Sequence, residues 1–359
     1  MGKPSRPPTI SDVAALAGVA VGTASKALND RGALRPETRA RVREAADRLG
    51  FRVNAVARSL NTGRTYTVGM ITTDTIGRFS IPIMIGVEDT MGAGRMSVFL
   101  CDSRDDPIRE QYYLQTLQAR RVDGIIVTGR RNQERAPVGM NLPVPVVYAF
   151  VSSTDPGDCS VVPDEEGGAR RSVEHLLAVG RSRLVHITGP EHHHSARVRA
   201  SATTDCLSDA GLDLVTPPMF GEWSEAWGRH AVGILLARGA SFDAVTCGSD
   251  QIARGVADAL RSAGRRVPED VALVGFDNWD VMALASQPPL TTVDMDLEGL
   301  GRAAAGLLLE AIDGNPSPGR HIRPCRLVIR ESTAVAVDPV PPAPASPAPA
   351  SPAPPDHAR

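Results

Sequence analysis

Short runs of apolar residues alternate with amphipathic helical patterns from Val68 onward, and this alternation restricts the fold more than any other feature. A continuous apolar run is typical of a strand in a parallel sheet that helices cover on both faces. The runs form two series, VGMIT, RMSVFLC, DGIIVTG and VPVVYAF, followed by RLVHITG, FDAVTCG and VALVGF. Helical patterns lie near 81–93, 107–120, 165–179, 196–210, 223–238 and 250–263. We therefore predict a body of two α/β lobes with parallel sheets.

The first 52 residues have a different pattern, that of an all-α domain. A helix capped by Thr9 or Ser11 ends at Gly18, whose permissive backbone suits a turn. Ala20–Leu28 forms a second helix, and a third starts at Pro36 and stops at Gly50. The residues on the outer face of the second helix are Val21, Gly22, Thr23, Ser25 and Lys26. We predict a helix-turn-helix DNA-binding domain over 9–52, after a flexible N-terminus at 1–8.

The charge distribution agrees with a DNA-binding head. Residues 1–64 contain 12 Lys or Arg and 5 Asp or Glu, whereas the remaining chain contains 27 basic and 36 acidic residues. A basic head on an acidic body indicates that a polyanion binds the head alone. The alternative is a surface that is basic by chance.

Two segments are not expected to fold on their own, the first because it is short and the second because it is rich in proline. Asn54–Leu60 forms a helix of about seven residues at most, too short to be stable alone in water. We interpret residues 53–66 as a hinge helix that orders on DNA, with an ordinary linker turn as the alternative. The last 22 residues contain nine prolines and no leucine heptads. Residues 335–359 are therefore predicted to be a disordered Pro/Ala-rich tail.

Several classes of protein are disfavoured by the sequence. No apolar run approaches the roughly 20 residues that span a bilayer, and the N-terminus has no apolar secretory signal. The five cysteines are scattered without C-x-x-C spacing, as in a reducing cytoplasm. G-x-S-x-G, P-loop and paired acid–base motifs are absent, so we do not expect an enzyme. Because His192–His194 are consecutive residues, we expect a loop rather than a metal site.

Polar and aromatic side chains follow the predicted strands, where small ligands bind in such folds. Carboxylates and an arginine beside an aromatic ring suit a polyhydroxylated ligand. The candidate effector-binding residues are Phe79, Ser80, Asp102, Asp164, His193, Ser195, Arg199, Trp223, Ser249 and Asp277. The alternatives are core packing for Trp223 and helix capping for Asp102 and Asp164.

The chain resembles the lactose-repressor/galactose-repressor (LacI/GalR) family of transcriptional regulators through about residue 334. The resemblance is carried, in family order, by TISDVAALAGVAVGTASKALN, PETRARVREAADRLGF, NAVARSL, RRVDGIIV, VEHLLAVGRSRL, ITGP, SARVR, VPEDVALVGFDN, PPLTTVD and LVIREST. It implies a two-lobed, periplasmic-binding-protein-like body. It also implies homodimers that place two recognition helices in the major grooves of a pseudo-palindromic operator. Paired hinge helices would then enter the minor groove, where a leucine opens a base step.

Residue roles follow from the same resemblance. It implies base contacts from Val21, Gly22 and Lys26, and phosphate or turn contacts from Thr23, Ser25 and Asn29. The implied hinge contacts are Asn54, Ala57, Arg58 and the wedge Leu60. Arg199, Asp277 and Trp223 fall on effector positions of the family.

Three departures from the family pattern affect the DNA-binding residues. Ala20 replaces the serine that usually caps the recognition helix, Gly22 has no side chain to contact a base, and Val53 replaces a proline before the hinge. We therefore expect Lys26, bonded to guanine, and Val21, in apolar contact, to carry much of the major-groove readout.

The sequence thus predicts a cytoplasmic DNA-binding regulator, in particular a repressor, controlled by a small effector bound between two lobes. We expect a sugar or sugar derivative, with a nucleoside or base as the alternative. The predicted effector-binding and dimerisation domain spans 67–334, with one lobe at 67–164 and 294–323 and the other at 165–293 and 324–334. The competing interpretation is a solute-binding receptor of a transporter, which the basic head and the missing signal disfavour.

Overall fold

The computed structural model describes residues 8–28, 32–52, 64–92, 96–139 and 142–333. Several predicted features lie outside these ranges: the DNA contacts Asn29, Asn54, Ala57, Arg58 and Leu60, the hinge helix, and the C-terminal tail. The chain divides into two compact units. Unit 1 runs to Val162 and includes Leu297–Ile322, and unit 2 comprises Pro163–Asp296 and the chain from Arg323.

The N-terminal domain consists of α1 (Ile10–Ala17), α2 (Val21–Leu28) and α3 (Pro36–Leu49). The Asp12 carboxylate accepts hydrogen bonds from the Thr9 N–H at 2.8 Å and the Thr9 hydroxyl at 2.7 Å, which fixes the start of α1. Gly18 and Gly50 end α1 and α3 in the left-handed conformation that glycine adopts without strain. The core consists of small side chains, because three short helices enclose little space: Val13, Ala14, Ala17, Ala24, Ala27, Val42, Ala45 and Ala46.

Unit 1 contains a six-stranded sheet of order β13-β7-β5-β3-β1-β2. Its strands are β1 (Thr67–Thr72), β2 (Ser97–Asp102), β3 (Gly124–Val127), β5 (Val146–Ala149), β7 (Cys159–Pro163) and β13 (Gly319–Arg323). A short ladder pairs β4 (Glu134–Arg135) with β6 (Ser152–Ser153). The helices are α4 (Ser80–Met91), α5 (Pro107–Ala119) and α11 (Leu297–Ile312).

Unit 2 repeats this plan with a sheet of order β14-β12-β11-β10-β8-β9, in which β14 is antiparallel to β12. Its strands are β8 (Leu184–Thr188), β9 (Met219–Phe220), β10 (Ala244–Cys247), β11 (Ala272–Phe276), β12 (Thr291–Asp294) and β14 (Arg326–Val328). The helices are α6 (Glu165–Ala178), α7 (His194–Asp209), α8 (Glu225–Ala237), α9 (Asp250–Ser262) and α10 (Asp280–Ala283). The predicted α/β fold class with parallel sheets is confirmed.

Each sheet has a point where the strand order reverses. In unit 1, β1 pairs in parallel with β2 on one side and β3 on the other, so that Ile71 faces both Cys101 and Val127. In unit 2, β8 lies in the same way between β9 and β10. Ligands of open α/β sheets bind beyond the carboxyl ends of the strands at such points. The loops that follow these strands are therefore the expected positions of a ligand.

Glycines bring helices into backbone contact in both units. A Cβ atom on Gly86 of α4 would lie 2.0 Å from the Glu298 carbonyl oxygen of α11. A Cβ atom on Gly255 of α9 would lie 2.0 Å from the Glu225 carbonyl oxygen of α8. Only glycine allows the two helices of each pair to come so close, and these contacts hold the helices together beside the sheets.

Candidate DNA-binding surface and effector site

Three of the five residues predicted on the outer face of α2 are exposed. Val21, with 47% exposure, Gly22 and Lys26 are open to solvent, whereas Thr23 and Ser25 are half-buried. The buried Ala24 and Ala27 hold the opposite face against α1 and α3. An apolar side chain and a cation are thus displayed on one short helix, as contacts with thymine methyl groups and guanine require.

The Ala20 carbonyl oxygen accepts hydrogen bonds from the N–H groups of Thr23 at 2.9 Å and Ala24 at 3.0 Å. Ala20 therefore occupies the position that precedes α2 and begins its hydrogen bonding. Its methyl group cannot accept a bond from the first turn, as a serine hydroxyl would. The departure noted in the sequence thus falls at the start of the recognition helix.

Arg199 is the centre of a buried ion network in unit 2. Its Nη2 donates to Glu165 Oε1 at 2.5 Å, and its Nη1 lies 3.4 Å from Asp277 Oδ1 and donates to the Gly248 carbonyl oxygen at 2.5 Å. The guanidinium also lies 3.6 Å from the centre of the Phe276 ring. Burial alone lowers the pKa of Arg199, but the Glu165 and Asp277 carboxylates outweigh that effect and raise it. Arg199 is thus a fixed cation.

Asp277 follows β11 directly, at the carboxyl edge of the sheet. Its φ is 106° and that of Asn278 is 51°, which are unusual values for residues with side chains. The Asp277 N–H donates to the Val293 carbonyl oxygen at 2.8 Å, which holds the turn. Backbone strain of this kind is often found at ligand sites.

Trp223 lies across the backbone of Gly189, just after β8. A Cβ atom on Gly189 would lie 2.1 Å from Cε2 of the indole ring, so that only glycine leaves room for it. Trp223 Nε1 donates to His193 Nδ1 at 2.7 Å, and the two rings are 15° from parallel. Trp223 is half-buried and keeps an accessible surface. The residue therefore combines packing against unit 2 with a surface that a ligand can contact.

Three other candidates of unit 2 lie at helix starts. The Ser249 hydroxyl accepts a hydrogen bond from the Ile252 N–H at 3.2 Å and caps α9, and Asp164 accepts one from Gly167 and caps α6. Asp164 thus takes the capping role that the sequence left open. Ser195 lies half-buried in the first turn of α7. An effector role for these three residues stays a prediction.

The candidates of unit 1 follow β1 and β2. The Phe79 ring stacks on Phe150 with centroids 4.8 Å apart. Ser80 is 1% exposed, and its hydroxyl donates to Asp74 at 3.2 Å at the start of α4. Asp102 accepts from the Arg104 N–H at 2.9 Å, whereas the residue that caps α5 is Asp106. The alternative that Asp102 caps the next helix is therefore wrong.

His186, in the middle of β8, is a buried polar residue of unit 2. Its Nδ1 lies 2.9 Å from the Thr246 hydroxyl, and no described residue bonds to Nε2. Burial, and then the nearby Arg199 charge, lower the pKa of His186 to about 3. It is therefore neutral at physiological pH.

Comparison with known proteins shows which family the chain belongs to. The model of bacterial regulatory proteins of the lacI family matches residues 9–54, and that of a periplasmic binding protein-like domain matches residues 173–333. The transcriptional regulator CelR of Thermobifida fusca is 32% identical over 91% of this chain and 98% of its own length. The chain belongs to the LacI family of bacterial regulatory proteins. The repressor PurR of Aliivibrio salmonicida (strain LFI1238) is 30% identical over 85% of this chain and 92% of that protein.

Solved structures of LacI-family proteins have the same fold. A complex of the regulator CelR with cellobiose superposes with a TM-score of 0.63 at 30% identity, covering 90% of this chain and 99% of that one. The lac repressor bound to ONPG in the repressed state superposes with a TM-score of 0.71 at 27% identity, covering 91% and 100%. This LacI-family protein is a DNA-binding transcriptional regulator, as predicted. It is neither an enzyme nor a transporter receptor.

Two features typical of other protein classes are absent from the described ranges. No helix in them is both long and apolar enough to cross a membrane. No group of three His, Cys, Asp or Glu side chains there has the arrangement of a metal site. His192 and His193 contact each other edge to face before the helix, whereas His194, which the sequence also assigned to a loop, is the first residue of α7.

The sequence did not indicate Glu165 or Phe276, both of which contact Arg199, whereas Asp250 follows the apolar run FDAVTCG beside Ser249. Asp250 is fully buried, accepts from the Thr292 hydroxyl at 2.5 Å and receives the Trp279 N–H at 2.7 Å. The signal for Asp250 was its position beside Ser249 after an apolar run. Glu165 gave no comparable signal, because an acidic residue in the first turn of a helix is common for dipole reasons alone.

Proposed function

We propose that this regulator is a cytoplasmic, homodimeric repressor whose affinity for a pseudo-palindromic operator is controlled by a sugar-like effector. The observation that supports the proposal is the contact of Arg199 Nη1 with Asp277 Oδ1, 3.4 Å apart, just after β11 at the carboxyl edge of the unit 2 sheet. Trp223 packs on Gly189, which follows β8 at the same edge. The similarity of this chain to a solved complex of a regulator CelR with cellobiose supports a carbohydrate ligand. Binding between the two lobes stays a prediction.

The chemistry of unit 2 suits a ligand with several hydroxyl groups. Glu165 Oε2 and Arg199 Nε are buried, and no described residue bonds to either atom. Thr188, at the end of β8, has a buried hydroxyl in the same condition. Buried polar groups without partners are costly. Hydroxyl groups both donate and accept, so they complement this mixed set, while the Trp223 ring covers an apolar sugar face.

The exposed apolar residues of unit 1 support a homodimer. Ile81 and Ile85 of α4, Phe99 and Leu100 of β2, and Tyr112 of α5 are 38–63% exposed. β2 is an edge strand of the sheet. Because exposed apolar surface and open strand edges favour association, we propose that a second copy covers these elements. Sedimentation of the full chain tests this, and a monomer at micromolar concentration would exclude it.

The DNA-binding part of the proposal assigns base readout to Lys26 and Val21. An operator is first selected from randomised duplexes by the full chain, and its affinity is then measured against salt. A steep linear decrease of log affinity with log salt is expected. Lys26→Ala is expected to reduce discrimination between operator and random DNA by about tenfold. Arg48→Ala, which removes an exposed charge from α3, is the control, and it should weaken binding to the operator and to random DNA by the same factor. Full discrimination by Lys26→Ala would exclude this assignment.

The effector part is tested by operator release in a panel of sugars and nucleosides. A ligand that releases wild-type protein is expected to act at least tenfold more weakly on Asp277→Asn. Asp213→Asn removes an exposed carboxylate of the same unit and is the matched control. A sugar that releases both variants equally would show that the site lies elsewhere, and a nucleoside that acts alone would exclude the sugar class.

A further inference from the structure

A cavity of about 200 Å³ lies at the carboxyl edge of the unit 1 sheet. Thr73, which follows β1, and Thr128, which follows β3, both line it. These are the two strands between which the strand order reverses. The cavity therefore lies at the position where open α/β sheets bind ligands. None of the predicted effector residues lines it.

Thr128 lines this cavity, and its hydroxyl group is buried without a partner in the described part of the chain. Thr128 is 1% exposed, and no described residue forms a hydrogen bond with its Oγ1. The neighbouring Thr73 hydroxyl, by contrast, accepts from the Arg130 N–H at 3.3 Å. A hydroxyl that the protein leaves unpaired can donate to a ligand oxygen.

The arginines that line the cavity differ in their pairing. Arg130 Nη2 lies 3.3 Å from Asp105, and Arg135 forms two hydrogen bonds with Glu110, at 2.7 and 2.8 Å. Arg131 has neither a hydrogen bond nor an ion pair with any described residue. Burial, and then repulsion from Arg130, lower the pKa of the Arg131 guanidinium, and attraction to Asp105 offsets only part of this decrease. An anion would compensate both effects.

The acidic residues of the cavity are already neutralised. Asp105 and Glu110 have their arginine partners, and Asp106 caps α5 while lying 3.6 Å from Arg109. The lining itself carries three carboxylates and three guanidinium groups. Because Asp106 is paired with Arg109, which lies outside the lining, four arginines compensate three carboxylates and one positive charge, that of Arg131, is in excess. A half-buried cation and an unpaired hydroxyl at the reversal point of a sheet are the groups that bind an oxyanion.

We propose that this cavity is an oxyanion subsite, in which Arg131 and the Thr128 hydroxyl bind a phosphate or carboxylate group carried by the effector. The inference rests on the proposed function, which places effector binding at the carboxyl edges of the sheets. It narrows the effector to a sugar phosphate or a sugar acid.

The test uses the full chain and two kinds of probe. Inorganic phosphate, titrated at constant ionic strength, examines the cavity without any assumption about the sugar. Glucose, glucose 6-phosphate and glucuronate then compare neutral, phosphorylated and acidic sugars. The variants are Arg131→Gln, Thr128→Val and, as a charge-matched control, Arg104→Gln, whose exposed side chain lies after β2 and outside the cavity.

We expect phosphate to bind about tenfold more weakly to Arg131→Gln and measurably more weakly to Thr128→Val, with Arg104→Gln unchanged. Thr128→Val is isosteric and removes an unpaired hydroxyl, so its melting temperature without ligand should be equal to or above that of the wild type. That result separates ligand binding from a structural role. At least one charged sugar should bind more tightly than glucose, and its affinity should decrease in Arg131→Gln as that of phosphate does. If the affinity for phosphate depends on Arg131 but neither charged sugar binds more tightly than glucose, the inference that the effector carries the anionic group is wrong.

Phosphate binding that is absent, or equal in wild type and Arg131→Gln, would overturn the subsite. One outcome would support the proposed function and contradict the subsite. In it, a neutral sugar releases the operator from wild type but not from Asp277→Asn, while Arg131→Gln leaves the affinity for every anion unchanged. If phosphate binding depends on Arg131 but no panel compound releases the operator, the cavity binds anions and the effector proposal is wrong.

Discussion

Arg199 Nη2 and Glu165 Oε1 are 2.5 Å apart, and their side chains are only 5% and 2% exposed. The two residues are 34 positions apart in the chain, on α7 and α6. Because Glu165 holds one end of the guanidinium and Asp277 the other, the orientation of Arg199 is set before any ligand arrives. The ion pair is thus a positioning element of the proposed effector site.

Glu165→Gln should destabilise unit 2, because it leaves the buried Arg199 charge with less compensation. Loss of one member of a buried pair costs about 3–5 kcal/mol of unfolding free energy, and we expect the lower end since Asp277 remains. Urea denaturation measures the change. Asp270→Asn, which breaks the exposed pair with Arg266, is the control and should alter the midpoint far less. Equal midpoints for Glu165→Gln and wild type would show that Arg199 does not depend on this partner.

His186 should make stability decrease in mild acid. Its pKa is about 3 in the folded protein, against about 6.5 when unfolded, so the unfolded chain binds the extra proton between these values. The contribution of His186 to the unfolding free energy is fully present above pH 6.5. It decreases as the pH falls and is smaller by about 2 kcal/mol at pH 5. Urea denaturation at pH 7.5 and 5 should show a smaller loss for His186→Gln than for wild type. His230→Gln, at an exposed position, should lose as much unfolding free energy between pH 7.5 and 5 as the wild type does. If His186→Gln also loses as much as the wild type, His186 is not the group that causes the pH dependence.

Ala20→Ser should stabilise the recognition helix. The serine hydroxyl would accept an N–H of the first turn of α2, and such caps contribute about 1 kcal/mol. Hydrogen exchange of the α2 amides in the full chain should slow by about fivefold. Ala15→Ser, at an exposed position inside α1, introduces the same side chain away from a helix start and should accelerate exchange in α1. Unaltered exchange in α2 would mean that its first turn is capped in another way.

Gly189→Ala should displace Trp223, because the added methyl carbon would lie 2.1 Å from the indole ring. We expect a change in tryptophan fluorescence and weaker binding of any effector that releases the operator. Gly233→Ala, in α8, has no atom within 4 Å of the added Cβ and should instead stabilise the protein by about 0.5–1 kcal/mol. Wild-type effector binding by Gly189→Ala would exclude Trp223 as a ligand platform.

The parts of the fold that were predictable share a short-range cause. The runs at β1, β8, β10 and β11 were recognised because strands covered on both faces are apolar without interruption. In the head, helical spacing indicated the inner face of α2, where Ala24 and Ala27 are buried, but the same spacing in α1 also included Leu16, which is 45% exposed. β7 and α11 were not identified as elements, because the short CSVVP run and the Gly- and Ala-rich Leu297–Ile312 have weaker local signals.

The sequence by itself determined that this chain has a small helical DNA-binding head and an α/β body of parallel sheets, since these follow from periodicity and from motifs of adjacent residues. Only the tertiary structure decided which polar side chains are left for a ligand. Ser249 and Asp164 cap helices, Glu165 holds Arg199, and Arg131 has no partner among the described residues. The physical reason is that hydrogen bonds and ion pairs form between groups that are close in space, and the pairing of a charge is set by neighbours that lie far away in sequence.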